Sequence, residues 1–466
     1  VSDQLFNKKV AILRVSKDIY SDLAMADKAE IFENTLVCGS KTIKLWGLDT
    51  ETLSLNSTDR RMLNGDQGIA NKIAMEAICK MAAVQSANEL IDVTKGHIDG
   101  CILAHDANLI FAEKMYELGA TVSIPTTINA ISVNLNNWEN QGVEPDFGNK
   151  ASRLADAYEK MGGHPTYTCA PYLLEDKPQR DEVIGWSESN AVIYANSILG
   201  AKTQKHPDYL DLFIAMTGRA PKAGVYLNEN RIPKIEISVQ LPTDFDDSIW
   251  PMLGWLIGDL SPNKIPLVTG LEMTSPSDDN LKALCAAFGT TSAAPMLHIN
   301  GHTPGKVYSI PSKLKNFNIT KQHLAKLWNK FNYADLRVDL VAIGSPHASL
   351  TECQSFVKFF DGKNCNPNVK TIITIGRDIL SKAKSEGLVE KITNAGVQII
   401  SDICWCSITE PIFPPEASVI MTNSGKYAHY AHGLTGRKTR FGSLKDCAIA
   451  AQSGWAKSEL PDWLSN

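Results

Sequence analysis

Four segments in the last third of the chain repeat one pattern: a short apolar run, a few small or polar residues, then a helix-length amphipathic stretch. Val338–Gly344 runs into Ser345-Pro-His347, and Val369–Ile375 into Gly376-Arg377. Val397–Ile400 runs into Asp402-Ile-Cys404, and Ser418–Met421 into Thr422-Asn-Ser-Gly-Lys426. Runs that are apolar at nearly every position and rich in β-branched residues predict strands buried on both faces, hence βαβ units and a parallel sheet. Ser349-Leu-Thr-Glu352 is a capping box for the helix after the first of these strands. Upstream, Ala191, Val192, Ala195, Ile198 and Leu199 share one helical face, with Gly200 placed to end it. Thr121–Ile124 reads as a strand that empties into Pro125-Thr-Thr-Ile-Asn129. The expected class is α/β.

In sheets of this kind ligands bind beyond the carboxyl ends of the strands. Those ends carry Ser345, His347, Arg377, Cys404, Asn423, Ser424 and Lys426. Glu188, Ser189 and Asn190 stand at a helix start, whose unsatisfied N–H groups suit an anion such as a carboxylate. Thr126, Thr127 and Asn129 add small hydroxyl and amide donors, and Cys169 sits in a proline-braced segment, Pro165–Tyr172. The stretch Ser401-Asp-Ile-Cys-Trp-Cys-Ser-Ile-Thr-Glu-Pro411 puts two cysteines around a tryptophan directly after a strand. A disulfide, a metal site and plain packing would each explain it. Taken singly these residues have ordinary readings: cysteine as a small buried hydrophobe, Glu188 and Ser189 as helix caps, His347 and Lys426 as loop residues. Their joint placement at strand ends is harder to explain that way.

Composition narrows the classes. A length of 466 residues calls for at least two domains or one large composite core, and 44% hydrophobic with 21% charged residues is ordinary for a globular protein. A net charge of −5 makes no case for nucleic acid or an anionic membrane, and no run of 18 apolar residues or signal-peptide start is present. Ten irregularly spaced cysteines do not form a secreted disulfide framework, so a reducing, cytoplasmic setting is expected. There is no P-loop, Rossmann glycine fingerprint, Gly-x-Ser-x-Gly elbow or zinc-type Cys-x-x-Cys pair.

Four stretches resemble aconitase X, the divergent branch of the aconitase superfamily. They are Ala87–Cys101, Pro125–Val133, Thr168–Tyr172 with Trp186–Ser197, and Met421–Tyr430, and the resemblance covers about Leu55 to Trp455. It implies a multi-subdomain, three-layer α/β core over residues 51–466, preceded over residues 1–50 by the C-terminal part of a swivel domain. Val10–Val15 and Thr42–Trp46 would be the last strands of that swivel. Its earlier portion would be absent or supplied by a separate subunit. Members of the family are iron–sulfur dehydratases, acting on cis-3-hydroxy-L-proline in one branch and on mevalonate 5-phosphate in another. The wording of the Asp92-Val-Thr, His97-Ile-Asp-Gly-Cys101 and Ser189-Asn-Ala-Val stretches is similar to the hydroxyproline branch.

By resemblance Cys169 and Cys404 would ligate an iron–sulfur cluster, expected as 2Fe-2S. Cys101, Cys285 and Cys406 compete for a third position, with Cys101 preferred because its stretch matches the family. Some members carry a cysteine where this chain has Ser345, which cannot supply a thiolate. Losing water from cis-3-hydroxyproline needs a base for the Cα proton and help for the departing hydroxide. The superfamily's serine alkoxide points to Ser345 as base, with His347 beside it. Thr126, Thr127, Asn129, Glu188, Ser189, Asn190 and Lys426 would hold the substrate. A small-molecule substrate and a monomer, without nucleic acid or membrane partners, complete the expectation. The alternatives are a dehydratase of another hydroxy acid such as mevalonate 5-phosphate, and an inactive relative.

Overall fold

The computed structural model describes residues 53–305, 311, 313–408 and 410–465, and the backbone of residues 29–32, 35–38 and 41–44. Those three short segments are strands β1 (Ala29–Phe32), β2 (Thr35–Cys38) and β3 (Lys41–Lys44), joined as an antiparallel meander. Val10–Val15, expected as a strand, lies outside the described residues, as does the packing of a swivel on the site.

The four strands anticipated in the last third form: β13 (Leu340–Ile343), β14 (Lys370–Ile375), β15 (Gln398–Ser401) and β16 (Val419–Thr422). All are parallel in a sheet of order β15-β14-β13-β16-β17. The fifth, β17 (Lys438–Phe441), is an edge strand, and its half-polar Lys-Thr-Arg-Phe pattern hid it from a search for continuous apolar runs. Both faces of the sheet are covered. Val341, Ile343, Ile373 and Met421 pack against the helices Leu350–Phe360 and Leu444–Ser453. Leu340, Ala342, Ile372, Ile400 and Ile420 join Ile128, Ile131 and Leu154 in a core shared with the N-terminal half. That second face explains why the strands are apolar at every position.

In the N-terminal half, β5 (Lys95–Ile98) lies between β6 (Thr126–Ile128) and β7 (Ile184–Trp186) in a parallel sheet. A two-stranded antiparallel pair, β4 (Leu90–Asp92) with β8 (Arg219–Pro221), lies apart from it. The strand expected at Thr121–Ile124 is therefore displaced into the predicted loop. Val122 and Ser123 instead donate their N–H groups to the carbonyls of Met161 and Ala215, at the C-terminal ends of two helices rather than in a ladder. A middle sheet, β9 (Ile235–Val239), β10 (Pro266–Thr269), β11 (His298–Ile299) and β12 (Lys315–Ile319), is parallel throughout, in the order β11-β10-β9-β12. The helices Ile249–Leu260 and Asp278–Thr291 pack on it, and it has its own core. Among the described residues no helix is long and apolar enough to cross a membrane.

Candidate active site

The carboxyl ends of the C-terminal sheet and of β5–β7 face each other, and the loops leaving them meet. Gly344 ends β13 with φ 98°; a side chain there would collide with the Thr374 carbonyl oxygen, so only glycine lets the chain turn into Ser345-Pro346-His347. Beyond β15, Trp405 is fully buried and its indole N–H donates to the Ile343 carbonyl at 2.7 Å. That anchor explains the Cys-Trp-Cys order: the tryptophan plugs the sheet end, and Cys404 and Cys406 are left on either side of it. The Cys404 carbonyl closes a tight turn by accepting from Ser407 and Ile408 N–H at 2.9 and 3.0 Å.

Cys169 and Cys404 meet although 235 residues separate them, packing together with Ala130, and Cys406 lies against them. Cys404 is the middle sulfur. Hydrogen bonds from the Cys169 thiol, then from the Cys406 thiol, hold it well below the usual thiol pKa against the effect of burial, with the Lys426 ammonium helping. Cys169 and Cys406 are raised in turn, first by donating to Cys404 and then by burial. Of the three sulfurs, Cys404 is the one whose surroundings favour the charged form. Among the described residues no group of three or more His, Cys, Asp or Glu side chains stands arranged to hold a metal ion. In chemical kind the set fits an iron–sulfur group: two buried thiols and a half-buried one, brought together on loops, one of them favouring thiolate, with a cation to balance the charge.

Cys101, preferred on sequence as the third sulfur, belongs elsewhere. It is buried in the core shared by the two α/β halves, its thiol donating to the Ile98 carbonyl at 3.2 Å. Burial first, then the Asp211 and Asp99 charges, drive its pKa well up. Cys406, two residues from Cys404, is the third cysteine packed against that pair, while Cys285 lies in the core of the middle sheet.

His347 is fully buried, and both of its ring nitrogens are engaged. Nε2 faces the Ile403 carbonyl at 2.8 Å and must carry the proton; Nδ1 then accepts from the Thr168 hydroxyl at 3.3 Å. Burial lowers its pKa, so it stays neutral. Its backbone N–H donates to Cys169 Sγ at 3.3 Å. His347 therefore ties the Cys169 and Cys404 loops together instead of presenting a base. Ser345 is 9% exposed, its carbonyl accepts from the Ser424 hydroxyl, and its own hydroxyl has no hydrogen bond among the described residues.

Lys426, on the helix Gly425–Thr435, forms an ion pair with Glu188 Oε1 at 3.0 Å. Burial works against both charges, yet Lys426 and Glu188 hold each other ionised: the lysine is raised and the glutamate lowered. Glu188 caps its own helix by accepting from Asn190 N–H at 3.4 Å, so the anion expected at that helix start is supplied by the chain itself. Asn190 gives its amide N–H groups to Glu188 and to the Cys169 carbonyl, at 2.6 and 3.1 Å, and accepts from the Tyr172 hydroxyl at 2.7 Å. Asn129 bridges Glu188, at 3.3 Å, and Asp99. These amides are spent on holding the acids and the cysteine loop. Ser189 opens the same helix half-buried beside Gly289.

Thr126 and Thr127 face a different space. They line a cleft of about 420 Å³ with Lys95, Trp186, Pro171 and Asp176, a cleft that none of the three cysteines, Ser345 or Lys426 lines. The Thr126 hydroxyl donates to the Ile124 carbonyl at 2.8 Å and Thr127 pairs with His97 Nδ1 at 2.7 Å. Arg377 is also committed: it grips Asp402 at 2.7 and 3.0 Å and stacks over the Tyr167 ring at 4.3 Å. Sequence reading missed Lys205. Its ammonium donates to the Ser292 carbonyl at 3.0 Å, has no carboxylate partner among the described residues, and is lowered by burial to about 8 with Glu188 acting in the opposite sense. A lone lysine in Gln-Lys-His-Pro carries no pattern that would mark it.

Comparison with known proteins places the chain among relatives. Family models for the Aconitase X first, second and third domains match residues 52–229, 233–329 and 338–453. The cis-3-hydroxy-L-proline dehydratase of Pseudomonas aeruginosa is 42% identical over 417 residues, covering 88% of this chain and 72% of that protein. The protein of the same name from Hypocrea jecorina is 42% identical over 424 residues, covering 89% and 71%. The phosphomevalonate dehydratase large subunit of Methanothermobacter thermautotrophicus is 29% identical over 387 residues, 82% and 94% of the two chains. The crystal structure of Thermococcus kodakaraensis aconitase X in its holo-form superposes with a TM-score of 0.78 at 29% identity, over 86% of this chain and all of that one. Three family domains spanning the chain, and the sheet-end site that their strands build, lead to one conclusion: this chain belongs to the aconitase X family.

Proposed function

We propose that this protein is an iron–sulfur-dependent hydro-lyase that dehydrates cis-3-hydroxy-L-proline to Δ1-pyrroline-2-carboxylate. The 42% identity to two dehydratases of that name carries the reading. The geometry supports it over a phosphorylated substrate. A phosphate needs charge-assisted donors, and the two strand-end cations are already paired, Arg377 with Asp402 and Lys426 with Glu188.

Cys169, Cys404 and Cys406 would hold the cluster, with 2Fe-2S the expected type, and when bound it supplies Lewis-acid help to the departing C3 hydroxyl. The chain's own residues do the rest. Ser345 Oγ, which has no hydrogen bond among the described residues, would take the Cα proton. Lys205, which has no carboxylate partner among the described residues, would supply the positive charge that a substrate carboxylate needs. Asn129 and Asn190 keep Glu188 in place, which keeps Lys426 charged beside the sulfurs. Loss of the proton and hydroxide leaves an enamine, which tautomerises to the cyclic imine.

The test is direct. Anaerobically reconstituted protein is assayed on cis-3-hydroxy-L-proline and on mevalonate 5-phosphate, with the imine trapped by reduction to proline. Turnover of the first alone is expected; turnover of the second alone overturns the assignment.

A further inference from the structure

Helix Asp278–Thr291 belongs to the middle third of the chain, yet one of its side chains reaches the strand-end loop of the C-terminal sheet. Lys282 sits among Leu281, Leu284 and Cys285, where an apolar residue would be expected, and its side chain is 2% exposed. Its ammonium contacts Asp279 Oδ1 at 3.0 Å and the Glu352 carboxylate, and donates to the His347 carbonyl at 3.4 Å. The cluster closes on itself: the Ser349 hydroxyl donates to Asp279 at 2.8 Å, and the Ser349 N–H donates to Glu352 at 2.9 Å. Every acceptor of the ammonium on the C-terminal side lies on the loop and first helical turn that follow β13.

A buried ion cluster is a poor way to gain stability, because desolvation offsets most of the attraction. Apolar residues of similar volume would serve a purely structural contact as well. What the ions add is direction: three acceptors in fixed places allow one arrangement of the loop. From the His347 carbonyl the path runs through the same residue's N–H to Cys169 Sγ, and through its ring to Thr168 and Ile403, the neighbours of Cys169 and Cys404.

We propose that Lys282 is a positioning residue for the dehydration: from the middle third of the chain it locks the Ser345–Ser349 loop, and so sets Ser345 and the Cys169 sulfur in register. The catalytic consequence rests on the function proposed above; the effect on the loop does not. Removing the ammonium alone would strand Glu352, so the informative variant is Lys282→Met paired with Glu352→Gln, with Lys282→Arg as the conservative control.

Two readouts are taken. In the metal-free protein, hydrogen–deuterium exchange over residues 345–353 should rise at least tenfold in the double variant. It should stay near wild type in Lys282→Arg and be unchanged over the remote helix Ser57–Asn64. In the loaded enzyme, kcat on cis-3-hydroxy-L-proline should fall at least tenfold with KM within about threefold, and Lys282→Arg should recover most of it. Unchanged loop exchange, or faster exchange spread evenly over the chain, overturns the positioning role. Faster loop exchange with unchanged kcat overturns its link to catalysis. Wild-type protein inactive on this substrate counts against the proposed function, while the exchange result still decides the lock.

Discussion

Cys404 and Cys101 are both deeply buried, and they are opposites. Burial alone raises any thiol, because it penalises the thiolate. Around Cys404 two neighbouring thiols donate to the sulfur and Lys426 adds a positive charge, and together these overcome the desolvation. Around Cys101 the nearest charges are the carboxylates of Asp211 and Asp99, and the thiol itself donates, to a carbonyl. The two thiols differ by the sign of what surrounds them, not by their depth. The resemblance of a stretch to a family does not carry that sign.

The harshest way to break the comparison is Cys404→Ala. It should bleach the protein and bring turnover to the detection limit, with a circular dichroism spectrum close to wild type; a coloured, active variant would sink the ligand role. Ser345→Ala comes next. Its colour and thermal midpoint should hold while kcat drops by about 10² or more, the usual cost of losing a positioned acid–base group. Near-normal turnover there would move the base elsewhere, and not to His347, both of whose ring nitrogens are engaged.

Lys426→Met removes the cation that distinguishes the Cys404 surroundings, and it leaves Glu188 unpaired. Cluster affinity, followed by chelator competition, should weaken roughly 10- to 100-fold, the range seen for groups that support metal ligands. No change would mean that the thiol pair alone sets the site. A milder probe is the pH profile of alkylation by iodoacetamide in the metal-free protein, because the thiolate is the nucleophile. Cys404, depressed, should react at a rate nearly flat through neutral pH. Cys101, raised, should stay inert there and gain reactivity only in strong alkali. Parallel profiles for the two would refute the contrast. The smallest effect is expected of Cys101→Ala: turnover within about twofold and a stability loss of about 1 kcal/mol, as for a modest core truncation.

Much of this was legible in the residues. Strands buried on both faces announce themselves as continuous apolar runs, so β13 to β16 and their parallel orientation were predictable, and with them the loops that carry Ser345, Cys404 and Lys426. The Ser349–Glu352 capping box and the Gly200 stop were local signals, and both formed as local signals should. The edge strand β17 and the displaced β6 were not visible, because pairing partners decide such elements and their own side chains do not.

Within the site, residue type suggested which groups could bind iron, hold an anion or take a proton. Only the tertiary structure decided which of them meet. Cys169 and Cys404 come together through the packing of two sheets, and the same packing leaves Cys101 facing Asp99 and Asp211. It also spends Asn190 and Arg377 on internal partners, and brings Lys282 across from another part of the chain. The reason is physical. Hydrophobic periodicity is a property of neighbours in sequence, and it fixes elements. The charge and hydrogen-bond partners of a buried group come from residues tens to hundreds of positions away, and no local pattern records them.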